Sequence, residues 1–281
     1  MSFINAILRP LFDGLLYPFR DMHPLVGLTL VALLTAIFTL LVFKHASDQQ
    51  ALAAVKRKIQ GSLFEIRLFN ADFRAILVAQ SDILKHSLTY LKLSLVPMVL
   101  VLPPLVLVIA QLQSHYGYQA PKPGGTFVVE AQLTEAAAST LEGRRPDAVL
   151  HSSGDGLPVQ TPAVWVAGQQ RLAWRVGLLS PGAYTLTLSL GGTKATKSFD
   201  ASPQNVRRSP LKVRNGFVDQ LLYPAETLLP AGGPFQSIGV RLQDAELRIP
   251  GLGWGTHWLV AFFVLTLVFI WALKVVMKTT I

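Results

Sequence analysis

The residues with the chemistry to catalyse or ligate are sparse and poorly spaced for either task. Six histidines (His23, His45, His86, His115, His151 and His257) are scattered along the chain, with no pair at metal-ligand spacing and no HExxH. His151-Ser152-Ser153-Gly154-Asp155 holds residue types used in nucleophilic catalysis. Neighbours on an extended segment point to opposite faces, however, and the run reads as a polar turn. The chain has no cysteine, which excludes disulfides, cysteine-ligated zinc, iron–sulfur clusters and thiol chemistry. Gly251-Leu252-Gly253-Trp254-Gly255 lacks the lysine of a phosphate loop and stands directly before an apolar run, so it reads as a flexible entry. The expectation is a protein with no catalytic residues, no metal and no cofactor.

Two sets of side chains remain as candidates. Thr29, Ala32, Ala36 and Thr39 step by three and four residues down one helical face, with Thr35 beside them. Close helix packing in lipid accounts for such a face, and a partly wet groove is the alternative. In the second case Thr29, Thr35, Thr39, Ser94 and Gln111 are the groove-lining residues. The other set is basic: Lys56, Arg57, Lys58, Arg67, Arg74, Lys85 and Lys92. They read either as the solvated charges of a connector or as contacts for ribosomal RNA, anionic lipid or a client chain. No specific nucleic-acid site is expected.

The elements that position these residues follow from composition. Of 281 residues 51% are hydrophobic and only 15% charged, with a mean hydropathy of +0.43 and a net charge of +9, which points to the bilayer as solvent. Residues 25–43 form a first span of 19 residues with nothing ionisable. A second span, 93–112, carries Pro97, Pro103 and Pro104; such prolines free carbonyls and bend a helix. A third, 257–273, contains a sixteen-residue apolar run from Trp258 to Leu273, which is short for a bilayer. No acidic or basic side chain lies inside a span, against proton relays and ion-coupled transport. The first span is too long for a signal-peptide core and is followed by Lys44 and His45 rather than a cleavage site, so an uncleaved anchor is expected.

Residues 44–92 hold eight Lys/Arg, and the tail 274–281 holds Lys274 and Lys278 with no acid. With three spans both segments share a side, which the positive-inside rule makes the cytoplasm. The expected location is the inner (cytoplasmic) membrane, with residues 1–24 and 113–256 periplasmic. Within 44–92, Leu52, Val55, Ile59, Ile66, Phe69, Phe73, Ile76 and Ile83 make a seam at alternating steps of three and four, interrupted at Asn70-Ala71-Asp72. The pattern predicts two antiparallel helices of about twenty residues each, roughly 30 Å long, or one longer helix.

After the linker Gln119-Ala120-Pro121-Lys122-Pro123-Gly124-Gly125 the hydrophobic period changes to two. Thr126–Leu133, Ala163–Val166, Arg171–Val176, Ala183–Leu190 and Thr196–Phe199 read as short strands. Val206–Val213 and Ile238–Ile249 could add more, and Phe217–Glu226 could be an interfacial helix or turn. The Pro181-Gly182 turn feeding Tyr184, Leu186 and Leu188 fits an immunoglobulin-like sandwich. The expected fold is therefore a membrane α-helical core of three spans and a cytoplasmic hairpin, with an inserted external all-β domain.

The order of parts resembles the YidC-type insertase superfamily, which includes the archaeal homologues and the third subunit of the ER membrane complex. The resemblance rests on an interfacial stretch at residues 3–24, the first span, the basic hairpin, the junction Leu91–Met98 (LKLSLVPM) leading into a proline-containing span, and a third span with a basic tail. It implies a protein that helps client helices into the membrane through a groove between short spans, with nascent membrane proteins, the ribosome or other membrane subunits as partners. Two features differ. The first span lacks the buried arginine of bacterial members, and the β domain falls between spans two and three. A membrane-anchored scaffold whose β domain binds a protein or glycan is the alternative.

Overall fold

The computed structural model describes residues 2–46, 48–68, 72–141, 147–249, 251 and 255–277. The turn expected at Asn70-Ala71, the run Leu252–Trp254 and Lys278 lie outside the described residues. The chain divides into two compact units, Met1–Gly27 with Leu107–Leu259, and Leu28–Val106 with Val260–Ile281.

Four helices open the chain: α1 (Ser2–Leu16), α2 (Pro24–Ala46), α3 (Gln49–Leu68) and α4 (Phe73–Tyr116). A last one, α7 (Trp258–Val276), ends it. Among the described residues, three helices are long and apolar enough to cross a membrane: α2, the stretch Ile76–Tyr116 of α4, and α7. The third spans 19 residues rather than the sixteen of its apolar run, because the helix continues past Lys274.

The second unit is helical. Its interior is supplied by one stripe of α2 (Leu28, Val31, Ala32, Thr35, Ala36, Leu40) and by Ala261, Phe262 and Thr266 of α7. The opposite faces, with Leu34, Phe38 and Leu41 on α2 and Phe263, Leu267 and Trp271 on α7, are exposed yet apolar. A helix that is apolar all round and uncovered on one side has hydrocarbon as its natural solvent. Asp48 caps α3 by accepting from the backbone N–H of Gln50 and Ala51 at 3.1 and 2.9 Å. Asp72 does the same for α4, accepting from Arg74 N at 2.9 Å. The helix that follows runs 44 residues without interruption, about 66 Å at 1.5 Å per residue, so the second hairpin arm and the second span are one rod. Pro97, Pro103 and Pro104 are accommodated within it. Each removes one backbone donor, which hydrocarbon-phase helices tolerate where neighbours re-satisfy the freed carbonyl.

The first unit holds the β domain. Strands β1 (Thr126–Leu133), β3 (Val164–Val166), β4 (Arg171–Gly177), β7 (Leu211–Val213) and β8 (Phe235–Val240) form a five-stranded antiparallel sheet in the order β3-β4-β1-β8-β7. Strands β2 (Ala148–Ser152), β5 (Ala183–Leu190) and β6 (Thr193–Asp200) form a three-stranded antiparallel sheet, β2-β5-β6. A short ladder joins β9 (Glu246–Arg248) to β10 (Gly255–His257). Two small helices, α5 (Glu135–Ser139) and α6 (Phe217–Leu222), sit in the connections. Inward residues of both large sheets share one core around Leu133, Leu172, Trp174, Leu186, Leu188 and Ile238. Alternation is the cause: on β5, Leu186, Leu188 and Leu190 are buried while Thr187 and Ser189 between them are half-buried. The Tyr184 hydroxyl donates to Ser180 O at 2.8 Å and fastens this strand to its turn.

Candidate functional site

The two sets of expected site residues lie in different surroundings. Thr35 is buried in the α2 stripe, and its hydroxyl donates to Val31 O at 2.8 Å. Thr29, Thr39 and Ser94 are half-buried. Thr266 of α7 matches Thr35, donating to Phe262 O at 2.7 Å. Both hydroxyls are therefore satisfied within their own helix, the geometry of a small packing face in an apolar medium. Gln111 belongs to the other unit, is fully buried, and accepts from Arg207 Nη1 at 2.8 Å.

The basic set is uniformly exposed: Lys56, Arg57, Lys58, Arg67, Arg74, Lys85 and Lys92 all face outward from α3 and the first part of α4. Only Leu52, Val55, Ser62 and Ala79 are buried among the described residues of this hairpin. Its distal half leaves Leu63, Phe64, Leu68, Phe73, Leu77 and Val78 exposed, Leu68 at 77%. Fully burying such a side chain is worth ~1.5–3 kcal/mol, so the tip is a surface that gains by being covered. Of the predicted seam, Leu52 and Val55 are buried, Ile59, Ile66, Ile76 and Ile83 are half-buried and Phe73 is exposed, while Phe69 lies outside the described residues; the other exposed apolar side chains stand off the seam. Two helices alone leave half of each other's apolar surface uncovered.

The first unit contains a polar network that sequence spacing did not reveal. On α1, Asn5, Arg9 and Asp13 fall at i, i+4 and i+8, one face of the helix. Asn5 donates its amide to Gln220 O at 2.7 Å, and Arg9 Nε donates to Pro224 O at 2.7 Å. Asp13 Oδ1 accepts from Arg207 Nε at 2.9 Å and faces His115 Nε2 at 3.1 Å. The Arg207 fork also reaches Arg9 O at 3.3 Å. One guanidinium thus ties α1, the end of α4 and the segment before β7 together. Arg208 N donates to Ser114 O at 2.7 Å, and its Nη2 donates to Ser202 O and Gln204 O at 2.7 and 2.8 Å.

Charge in this network is tuned by burial and partners. Burial lowers the Arg207 and Arg9 pKa values, opposed in each by Asp13. Burial alone would raise the Asp13 carboxyl; the His115 hydrogen bond and the Arg207 charge outweigh it and hold it below the ordinary range. A second cluster lies beside the first. Lys197 is wholly buried on β6 and donates to Ser209 O at 2.6 Å, Ser198 O at 3.1 Å and Glu226 Oε1. Lys212 donates to Thr196 O at 2.6 Å with Glu226 Oε2 at 3.9 Å. Burial pushes Lys197 down, while Glu226, which burial would raise, is held below its usual value by Lys197. These residues fasten the long connection 201–229 to the sheet. The one local trace of it is the i, i+4, i+8 polar row on α1, which does not point to its partners, about one hundred to two hundred residues away in sequence.

The run His151–Asp155 is committed to the fold. His151 and Ser152 end β2, and Ser153 Oγ accepts from Thr185 N at 2.9 Å. No group of three His, Asp or Glu able to hold a metal occurs among the described residues. An open cleft of about 720 Å³ lies beside the edge strands β2 and β3, lined by Leu150, Val159, Pro162, Trp165 and Trp174. Comparison with family models, with curated proteins and with solved structures finds no match to this chain.

Proposed function

We propose that the protein is an insertase-like membrane chaperone, a multi-pass protein of the inner (cytoplasmic) membrane that assists insertion of client helices. The observation that carries this reading is the distal half of the hairpin, where Leu63, Phe64, Leu68, Phe73, Leu77 and Val78 are exposed together with Glu65, Arg67, Asp72 and Arg74, while Lys56, Arg57 and Lys58 are exposed further back on α3. An apolar end backed by the cationic run Lys56-Arg57-Lys58 suits a chain that is hydrophobic yet still attached to an anionic ribosome or leaflet. The charge count over 44–92 assigns that hairpin to the cytoplasm. Because the second arm and the second span are one helix, a client held at the tip is delivered along a rigid rod to the membrane. The mildly polar faces at Thr29, Thr35, Thr39 and Ser94 then lower the cost of polar client groups, each charge costing ~2.5–3.5 kcal/mol at mid-membrane. The β domain, two sheets around one core, is read as an immunoglobulin-like sandwich.

Depleting the protein and following insertion of short membrane proteins tests the reading. Slowed insertion, rescued by the intact chain but not by one lacking residues 49–90, supports it; normal insertion after depletion sinks it. One observation favours a second reading, a scaffold that holds an external protein or glycan: the cleft lined by Trp165 and Trp174. Capture through residues 119–250 yielding a single stoichiometric partner, with insertion unaffected by depletion, would favour that scaffold.

A further inference from the structure

The polarity of α1 is reversed with respect to the unit it packs on. Its polar side chains Asn5, Arg9 and Asp13 are spent on bonds to the β domain and the end of α4, while Phe3, Ile7 and Leu11, at i, i+4 and i+8, are exposed. Helix α6 also turns apolar side chains outward. Phe217, Val218 and Leu222 are exposed, Phe217 at 65%. Gly216 enters α6 at φ 101°, a left-handed conformation open to glycine that brings the chain sharply into the helix. The Asn5 side chain bonds the main chain of α6 itself, at Gln220 O, and Arg9 bonds Pro224 O just beyond it. Two short apolar faces are therefore fastened side by side.

We propose that α1 and α6 form one platform that lies in the headgroup–acyl boundary of the bilayer, so that the β domain carries its own lipid contact through Phe217, Val218 and Leu222. Three observations select lipid as the occupant. Helix α1 ends at Leu16 and the first span begins at Pro24, so the chain passes from the platform into the membrane within seven residues. Along that passage Tyr17 is exposed with the Arg20 guanidinium 4.4 Å over its ring, the aromatic–basic pairing that suits an interface. With Ile4 the patch offers seven large side chains, far fewer than the ~20–30 residues a side of a stable protein interface. An amphipathic helix of this kind buries its apolar face roughly 5–10 Å into the boundary. The inference rests on the membrane reading and is independent of whether clients are inserted.

The absence of cysteine makes the test direct. Full-length Leu11→Cys, Val218→Cys and Lys194→Cys carry a bimane label and are reconstituted into phosphatidylcholine–phosphatidylglycerol vesicles, with or without lipids brominated high on the acyl chain. Lys194 is exposed on β6, outside α1 and α6, and serves as the aqueous reference. The proposal expects brominated lipid to quench labels at 11 and 218 at least threefold more than at 194, and aqueous iodide to do the reverse. Iodide quenching at 218 equal to that at 194, with no lipid quenching, overturns it. So does efficient disulfide formation between two copies through position 218 without lipid quenching, which would make the patch a contact between copies.

Discussion

Arg207 Nε lies 2.9 Å from Asp13 Oδ1, joining two residues 194 positions apart in sequence. The same guanidinium donates to Gln111 Oε1 and to Arg9 O, so three chain segments depend on one planar fork. Lysine has no such fork, and only arginine can serve these acceptors together. Arg207→Ala leaves Asp13 and Gln111 without this partner and is expected to destabilise the first unit by ~2–4 kcal/mol. Arg207→Lys should recover less than half of the loss. Thermal unfolding of the purified full chain in detergent measures both.

Glu226 is the carboxylate shared by Lys197 and Lys212. Glu226→Gln strands the wholly buried Lys197 ammonium and is expected to cost ~3–5 kcal/mol, whereas the double variant Lys197→Met/Glu226→Gln should recover part of it. A double-mutant cycle on the same unfolding signal checks the coupling.

The pH dependence follows from the direction of these shifts. Asp13 and Glu226 both sit below the ordinary carboxylate range when folded. Their contribution is fully present above the unfolded values of ~4 and is lost as pH falls through the folded ones. Lys197, lowered by burial, works with the opposite charge: the unfolded chain binds its proton more readily, so its contribution grows as pH rises toward ~10.4. The unfolding midpoint should hold between pH 5 and 7 and drop below about pH 4. Asp13→Asn should flatten the part of that acid drop owed to the α1 contact.

A glycine marks a close helix approach in the first unit. A Cβ at Gly27 would collide with the Tyr116 hydroxyl and press on Leu16. Gly27→Ala is expected to cost ~1–3 kcal/mol through overpacking, and Tyr116→Phe in the same chain should return part of it by removing the colliding oxygen. Unfolding midpoints of the two variants and the parent chain decide the point.

Short-range patterns were the legible part of this fold. The alternation at Thr126–Leu133 and Ala183–Leu190 is that of β1 and β5, because a half-buried strand writes its two faces into every second residue. The apolar runs behind α2 and α7 were equally plain, since hydrocarbon tolerates no ionisable side chain along them. Val206–Val213 read as a strand, yet only Leu211–Val213 pairs, because Arg207 and Arg208 turn their side chains and backbone to α1, α4 and the 202–204 segment. β2 was hidden by the polar run at its end, where His151 and Ser152 are strand and Ser153 onward is turn. The network of Asp13, His115 and Arg207 has no local signature: its members come from three remote segments, and each alone looks like an ordinary surface residue.

The hairpin tip makes the functional claim concrete. Substituting Phe64, Leu68 and Phe73 by Ser should leave stability within ~0.5 kcal/mol, as for other exposed positions, because these side chains cover nothing in the folded chain. A photocrosslinker at Leu77, which is exposed and untouched by those substitutions, presented with a ribosome-bound nascent membrane protein in inverted membrane vesicles, reads the claim most directly. Adducts that form while the client's first apolar segment emerges, and that vanish with the triple Ser variant together with insertion, are the predicted result. A label at Leu77 that meets only lipid or solvent, while the client inserts at its normal rate, would contradict it.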